Sequence, residues 1–193
     1  MLKKIINSDR DRYRIGESQS WMMCYLLHPG FCFTVWHRLA AHCCEHRYPR
    51  IISKFLTWMV LRQSLKTGIQ INPGAEIGEG LYMPHYGGIV VNPSVVIGKN
   101  CYLSHNVLIG KVHTGKRKGV PVIGDDVFIG TGAVILGNIK IGNNAAIGVN
   151  SVVIDDVPGG VMVAGAPAKV IAQRGAREIL GLSNGVESNG DSL

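Results

Sequence analysis

The sequence is poor in several residue classes, and each shortage argues against a class of protein. Charged residues make up only 17% of the 193 residues while hydrophobic residues make up 46%, a balance that excludes disorder over most of the chain. Aromatic residues account for 7%, and no basic run alternates with them, which argues against a nucleic-acid stacking platform. The 25 glycines follow no three-residue period, which excludes collagen. A chain of this length is expected to form one domain, or one domain with a helical annex.

The sequence also lacks the patterns of disulfide-rich, zinc-ribbon and membrane-spanning proteins. The cysteines are odd in number, include an adjacent pair and form no Cys-x-x-Cys motif, which predicts a reducing, cytoplasmic compartment. The most hydrophobic stretch, residues 21–44, is interrupted by His28-Pro29-Gly30 and is not expected to span a bilayer. Residues 1–13 are polar and do not read as a secretory signal. The net charge of +7 suits an anionic small ligand as readily as nucleic acid.

Residues 1–69 are predicted to form a helical region. Apolar residues between positions 51 and 65 recur at spacings of three and four, with basic residues elsewhere on the helical wheel. The segment His28-Pro29-Gly30 is predicted to separate two helices.

Residues 70–172 carry an internal repeat. Aliphatic residues recur at every sixth position in three series: Ile71, Ile77, Met83 and Ile89; Val91, Ile97, Leu103 and Ile109; and Ile123, Ile129, Ile135, Ile141, Ile147 and Val153. Glycine follows isoleucine seven times, at Gly78, Gly98, Gly110, Gly124, Gly130, Gly142 and Gly148, which suggests a crowded or unusual backbone position there. A small or branched residue follows many of these isoleucines four positions later.

A period of six is neither helical nor a simple strand alternation, so it indicates short strands joined by turns. Such units cannot bury their apolar faces singly, and they are predicted to stack as a mainly β solenoid. The phase slips between Ile89 and Ile97 and again between Ile109 and Ile123, and the second slip predicts an extruded loop at residues 111–121. Residues 173–193 are predicted to form a C-terminal helix and flexible tail.

Three sequence motifs resemble the hexapeptide-repeat acyltransferases. They are Ile71-Asn72-Pro73-Gly74-Ala75-Glu76-Ile77-Gly78, the hexads, and the closing Val163-Ala164-Gly165-Ala166-Pro167-Ala168-Lys169. The upstream His28-Pro29-Gly30-Phe31 and His37-Arg38 are similar to the helical part of the serine acetyltransferase branch. The resemblance implies a left-handed parallel β-helix, a homotrimer and acetyl-CoA bound in clefts between subunits. In some members the helical annex joins two trimers.

The resemblance also implies a catalytic histidine. Acetyl transfer to an alcohol needs a base that removes the hydroxyl proton, and a neutral imidazole suits this role. His85 falls at the family's catalytic position, Gln70 stands where the family has the aspartate that orients it, and Tyr86 and His105 would line the acceptor side. The thioester is already activated, so no covalent intermediate is required, and Cys101 is interpreted as a packing residue.

Acetyl-CoA is the only cofactor that the resemblance implies, and no metal is expected. Turns of the later coils and the C-terminal motif would contact it, through Gly110, Thr131, Gly132, Ala133, Val149, Asn150, Pro167 and Lys169. Lys116, Arg117 or Lys118 are further candidates for the phosphates.

Several departures from the family pattern bear on the acceptor. Besides Gln70, Pro84 replaces an aspartate, and Gly119-Val120 replace the Arg-His pair that holds the serine carboxylate. These changes favour a sugar hydroxyl, as in the similar polysaccharide O-acetyltransferases, slightly over L-serine.

Two other hypotheses stay open. One is a zinc hydratase that would use His85, His105 and His113. The other is a non-catalytic scaffold whose tail, ending Asp191-Ser192-Leu193, docks on a partner.

Overall fold

A group of helices precedes a parallel β-helix in the computed structural model, which describes residues 1–13, 20–46 and 48–181. The helices are α1 (Leu2–Asp11), α2 (Trp21–Leu27), α3 (Pro29–Glu45), α4 (Arg50–Thr67) and, after the last strand, α5 (Ala176–Ile179). Two helices meet at His28-Pro29-Gly30 as predicted, but only His28 lies between them. Pro29 is the first residue of α3, where its missing N–H costs no hydrogen bond. Within the described ranges, no helix combines the length and apolarity that a membrane span requires.

Fourteen short strands form the three faces of the β-helix. They are β1 (Ile69–Ile71), β2 (Glu76–Ile77), β3 (Ile89–Val91), β4 (Val96–Ile97), β5 (Tyr102–Leu103), β6 (Leu108–Gly110), β7 (Val122–Ile123), β8 (Phe128–Ile129), β9 (Val134–Leu136), β10 (Lys140–Ile141), β11 (Ala146–Ile147), β12 (Val152–Val153), β13 (Met162–Gly165) and β14 (Ala168–Ala172). The first face has the order β1-β3-β6-β9-β12, the second β2-β4-β7-β10 and the third β5-β8-β11-β13-β14. All pairs are parallel except β13 with β14.

The hexad residues form the core of this prism. On the first face one row of aligned residues runs through Ile71, Val91, Ile109, Ile135 and Val153. Each of these side chains is at most 3% exposed, as expected if stacking buries what a single coil cannot. The predicted solenoid is therefore confirmed.

The first phase slip lies at a different place from the one predicted. Ile89 pairs with Ile69 and not with Ile71, so the row that begins at Ile71 continues at Val91. Because Tyr82 also aligns with Tyr102, the two additional residues fall between Met83 and Ile89, and not between Ile89 and Ile97. These residues enlarge the loop that carries His85.

Most of the glycines that follow isoleucine are required by crowding and not by their backbone angles. None of the seven has a positive φ. A Cβ on Gly78 would lie 2.6 Å from the carbonyl carbon of Gly98 on the next coil, a separation that real side chains essentially never show. The positive φ angles of non-glycine residues fall instead at turn positions occupied by Asn100, Asn106, Asp126, Asn144 and Asn150.

Helix α4 packs through a narrower face than its apolar pattern suggests. Leu56 and Val60 are buried, whereas Ile51, Phe55 and Leu65 are 79%, 52% and 81% exposed. The helix itself is confirmed, but its apolar residues are only partly covered within the described chain.

A buried ion pair joins the helices to the first coil of the β-helix. Arg38 of α3 donates from Nε to Oδ2 of Asp9 at 2.9 Å, and both side chains are buried. Oδ1 of Asp9 accepts the backbone N–H groups of Gly80 and Leu81 at 2.8 and 2.9 Å. Arg38 also donates to the carbonyl oxygens of Ile77 and Gly78. Because nearly every polar atom of the pair is satisfied, the two charges tolerate burial.

Candidate active site

His85 lies in the enlarged loop between Met83 and β3, and its side chain is exposed. Its ring meets the His105 ring of the next coil at a centroid separation of 5.8 Å and an interplanar angle of 89°. This edge-to-face arrangement is a favoured geometry for aromatic rings. Nδ1 of His105 is buried and has no hydrogen-bond partner among the described residues. The structure therefore brings together the predicted base and one of the two predicted acceptor-side residues.

The loop of His85 begins a ladder of turns along one edge of the prism. Asn106 donates its backbone N–H to the Gly87 carbonyl at 2.8 Å, and Gly132 donates to the His105 carbonyl at 3.2 Å. Asn150 continues the ladder by donating to the Thr131 carbonyl at 2.8 Å.

Four of the predicted cofactor residues occupy the far end of this ladder. They are Thr131, Gly132, Val149 and Asn150, and the Val149 side chain is 65% exposed. Ala133, which follows Gly132, points into the core instead and is fully buried. The edge therefore presents one imidazole pair followed by successive turns, of which Thr131 and Gly132 are half-buried and Val149 and Asn150 are exposed.

The helical annex contacts Met83, which lies two positions before His85. The Tyr13 hydroxyl accepts the Met83 backbone N–H at 2.8 Å and donates to the Met83 carbonyl at 3.3 Å. Burial of Tyr13 raises the pKa of its hydroxyl, so it remains a neutral donor. A Cβ on Gly30 would overlap the Met83 carbonyl oxygen, which explains why the His28-Pro29-Gly30 turn ends in glycine.

Gln70 and Gly110 line a groove that does not include His85. Both line a groove of about 700 Å³ between α4 and the first face of the β-helix, together with Leu61, Leu65 and Leu108. Among the described residues the Gln70 amide makes no hydrogen bond to the His85 ring, and His85 does not line the groove. The proposed orientation of His85 by Gln70 therefore remains a prediction.

The predicted C-terminal contacts lie on the hairpin of β13 and β14. Pro167 occupies its turn after a cis peptide bond, and exposed Lys169 pairs with Ala164. Arg117 forms an exposed ion pair with Asp155, 2.6 Å apart. A hydrogen bond from Arg117 lowers the pKa of the Asp155 carboxyl, and the charge of Lys169 lowers it further. Two of the candidate phosphate ligands therefore lie near one carboxylate.

Among the described residues of a single chain, this edge holds neither a reactive cysteine nor a cluster of three histidines. Cys101 is fully buried, and burial raises the pKa of its thiol to about 12, as a packing residue requires. His85, His105 and His113 do not form a metal-ligating cluster in the part of the chain that the structure describes.

Sequence reasoning missed Tyr13 and Asp9, which attach α1 to the first coil. Asp9 lies in the last turn of α1 and Tyr13 follows the end of that helix, but nothing in the local pattern identifies partners about 70 positions away.

Comparison with known proteins first identifies the class of protein to which the β-helix belongs. Residues 121–155 match the family described as bacterial transferase hexapeptide (six repeats). The β-helix is accordingly left-handed, an exception to the usual right-handed crossover of parallel strands.

The branch of the family follows from relatives that match about four fifths of this chain. The chain is 37% identical to the serine acetyltransferase of Helicobacter pylori over 148 residues, covering 77% of this chain and 84% of the relative. It is 38% identical to that of Synechococcus elongatus over 158 residues, covering 81% of this chain but only 61% of the relative. The chain therefore belongs to the serine acetyltransferase family, and it spans less than two thirds of the Synechococcus protein.

Solved structures agree with this membership. Neisseria gonorrhoeae serine acetyltransferase aligns with a TM-score of 0.77 at 32% identity, covering 96% of this chain and 70% of that chain. The same enzyme in complex with serine gives 0.74 at 34% identity, covering 89% and 69%. The Brucella abortus enzyme in complex with coenzyme A gives 0.76 at 30% identity, covering 90% and 68%.

Proposed function

We propose that this protein is an acetyl-CoA-dependent O-acetyltransferase that transfers the acetyl group to the hydroxyl of L-serine. The observation that carries the proposal is the shared edge, where the exposed His85 imidazole begins the ladder that Thr131, Gly132, Val149 and Asn150 continue. Coenzyme A and serine are bound by solved members of the family, which supports both substrates.

His85 acts as the general base in this mechanism. Its neutral ring nitrogen takes the proton of the acceptor hydroxyl while the hydroxyl oxygen attacks the thioester carbonyl carbon. The tetrahedral intermediate collapses, the carbon–sulfur bond breaks, and the imidazolium returns its proton to the departing thiolate of coenzyme A. No residue of the protein forms a covalent bond, in keeping with the buried position of Cys101.

The remaining edge residues bind the coenzyme and the acceptor. Backbone groups at Gly132 and Asn150 contact the pantetheine arm, and Lys169 meets the phosphates as a point charge. His105 borders the acceptor next to His85, with Tyr86 on the same loop and 56% exposed. In a homotrimer, which the family resemblance supports, this edge would face the neighbouring subunit.

A sugar hydroxyl is the second candidate acceptor, and one observation favours it. The extruded loop carries Gly119-Val120 where a serine-binding Arg-His pair is expected, and the backbone of Gly119 exchanges two hydrogen bonds with Val112. The names of the relatives nevertheless favour serine, so the slight preference for sugar drawn from the sequence is reversed here.

The decisive experiment measures coenzyme A release with L-serine, simple sugars and nucleotide sugars at matched concentrations. We expect turnover with L-serine that saturates and that yields O-acetylserine. His85→Ala serves as the control, because any background hydrolysis of the thioester persists in that variant while catalysed transfer does not.

The outcomes separate the two acceptors. Turnover with a sugar or nucleotide sugar, but not with L-serine, overturns the serine assignment and keeps the acetyl transfer. Absence of His85-dependent release with every hydroxyl acceptor overturns the enzymatic proposal itself.

A further inference from the structure

A second cluster of ionisable side chains lies at the end of α3, away from the edge just described. His42, Glu45 and His46 each offer one ligand atom, and these atoms all lie within 4.8 Å of one another. We propose that this triad is a divalent metal site whose natural occupant is Zn²⁺.

Helix geometry places the three side chains on one face. Residues three and four apart are neighbours on a helix surface, so Glu45 and His46 both lie beside His42. The two imidazole rings are already close, with centroids 4.1 Å apart. The ligands of a tetrahedral zinc ion are separated by about 3.3 Å, so small rotations of half-buried His42 and exposed Glu45 complete the site. Nδ1 of His46 bonds to the His42 carbonyl at 3.1 Å, which leaves its Nε2 to bind the ion.

The surroundings favour a cation. The unpaired carbonyl groups at a helix C-terminus carry partial negative charge, and His46 is the C-terminal cap of α3. The His42 ring is also flanked by the Tyr48 ring at 6.0 Å, and the Tyr48 backbone N–H bonds to the Cys43 carbonyl at 3.3 Å. The chain beyond the helix therefore returns to support one of the ligands.

The donor set selects the metal. Two imidazole nitrogens and one carboxylate oxygen suit Zn²⁺ and neighbouring first-row ions, whereas Ca²⁺ and Mg²⁺ prefer sites made of oxygen alone. Water would fill the fourth position. No other described group of histidine, cysteine and acidic side chains is as compact.

The proposed site is structural and separate from catalysis. Gly30, which contacts Met83, precedes Glu45 by fifteen residues on α3, a distance of about 22 Å along the helix axis. A bound ion would fasten the last turn of α3 to its cap, ahead of the start of α4. Zinc binding should therefore raise the unfolding temperature and leave turnover unchanged.

The test uses the full-length protein after treatment with a chelator. Titration with Zn²⁺, followed by calorimetry, is expected to show one ion per chain, and titration with Co²⁺ should give the visible spectrum of a nitrogen- and oxygen-ligated ion. His42→Ala and His46→Ala should each weaken binding about tenfold or more, since loss of even an outer-shell partner costs metal sites that much.

Two variants serve as matched controls. His113→Ala removes an exposed histidine elsewhere, and Cys44→Ser removes the exposed thiol within the same turn. Neither should change the affinity or the thermal shift. The proposal is overturned if no saturable binding occurs, if both histidine variants bind zinc normally, or if thiolate-to-cobalt absorption appears and is lost in Cys44→Ser.

Discussion

At the residue scale, the proposed acetyl transfer depends on the His85 imidazole and on the groups that surround it. His85 is exposed and contacts the ring of His105, and within the described residues no carboxylate bonds to it. Gln70, which the resemblance predicts to orient His85, lines a different groove. An amide can orient an imidazole, yet it cannot stabilise the imidazolium as a carboxylate does. His105 is thus the side chain in a position to restrict the rotation of His85.

Replacement of His85 by alanine tests its role as the base. We expect kcat to fall about 10²-fold or more, because the acceptor hydroxyl loses the group that removes its proton. Binding of acetyl-CoA should remain, since Thr131, Gly132 and Asn150 lie on other coils. Steady-state kinetics measure the first quantity and calorimetry the second, with His113→Ala as the control. Near-normal turnover in His85→Ala would refute the assignment.

At the element scale, α1 and α3 position the loop that carries His85. Tyr13 fixes both backbone polar groups of Met83, Gly30 allows α3 to approach the same residue, and Asp9 and Arg38 bind the coil just before it. These contacts are buried and hydrogen-bonded, so they restrain the entry to the loop more firmly than exposed contacts would. The helical annex therefore supports the loop of the proposed active site.

Tyr13→Phe isolates one of these contacts. Loss of the hydroxyl leaves the buried Met83 N–H and carbonyl without a partner, which should destabilise the fold by about 1–3 kcal/mol. A small displacement of His85 should lower kcat about tenfold while KM for acetyl-CoA changes little.

Urea unfolding measures the stability change, and kinetics at a temperature where both proteins are folded measure the rate. Tyr102→Phe, in the same row of aromatic rings, is the matched control. An unchanged kcat in Tyr13→Phe would show that the contact serves stability alone.

At the scale of the whole molecule, a buried histidine links folding to pH. His37 is 2% exposed, and its Nε2 lies 3.1 Å from the Asn72 carbonyl, to which the neutral ring donates. Burial lowers the pKa of His37 to about 4, and the nearby Arg38 charge contributes. The ordinary pKa of 6.5 applies in the unfolded chain. Between these two values only the unfolded state takes up the proton.

Acidification should therefore weaken the fold in a defined window. Above pH 6.5 both states are neutral at His37 and stability is complete; as the pH falls towards 4, the free energy of unfolding decreases by about 1.4 kcal/mol per pH unit. Between pH 6.5 and pH 5 the expected loss is about 2 kcal/mol. Urea unfolding at several pH values measures it. His37→Gln keeps an N–H donor but cannot titrate, so an equally steep pH dependence in that variant would contradict the explanation.

Local periodicity was enough to predict the stacked solenoid and the helical region before it, but it placed the enlarged loop that carries His85 at the wrong position. The period of six is repeated in every coil, so it survives an error in any one of them, as the misplaced slip near Ile89 shows. The position of His85 in a motif was equally visible in the chain itself. These features depend on neighbours in sequence, and a sequence records such neighbours directly.

Only the tertiary structure decided which distant residues meet. The ring of His105 against His85, the Tyr13 hydroxyl on Met83 and the Asp9–Arg38 pair join different coils or different regions of the chain. So does the crowding that excludes a side chain at Gly30. Each of these contacts depends on how coils stack and how helices dock on them. Such contacts form between residues far apart in the sequence, because burial and hydrogen bonding are satisfied by whichever residues the fold brings together.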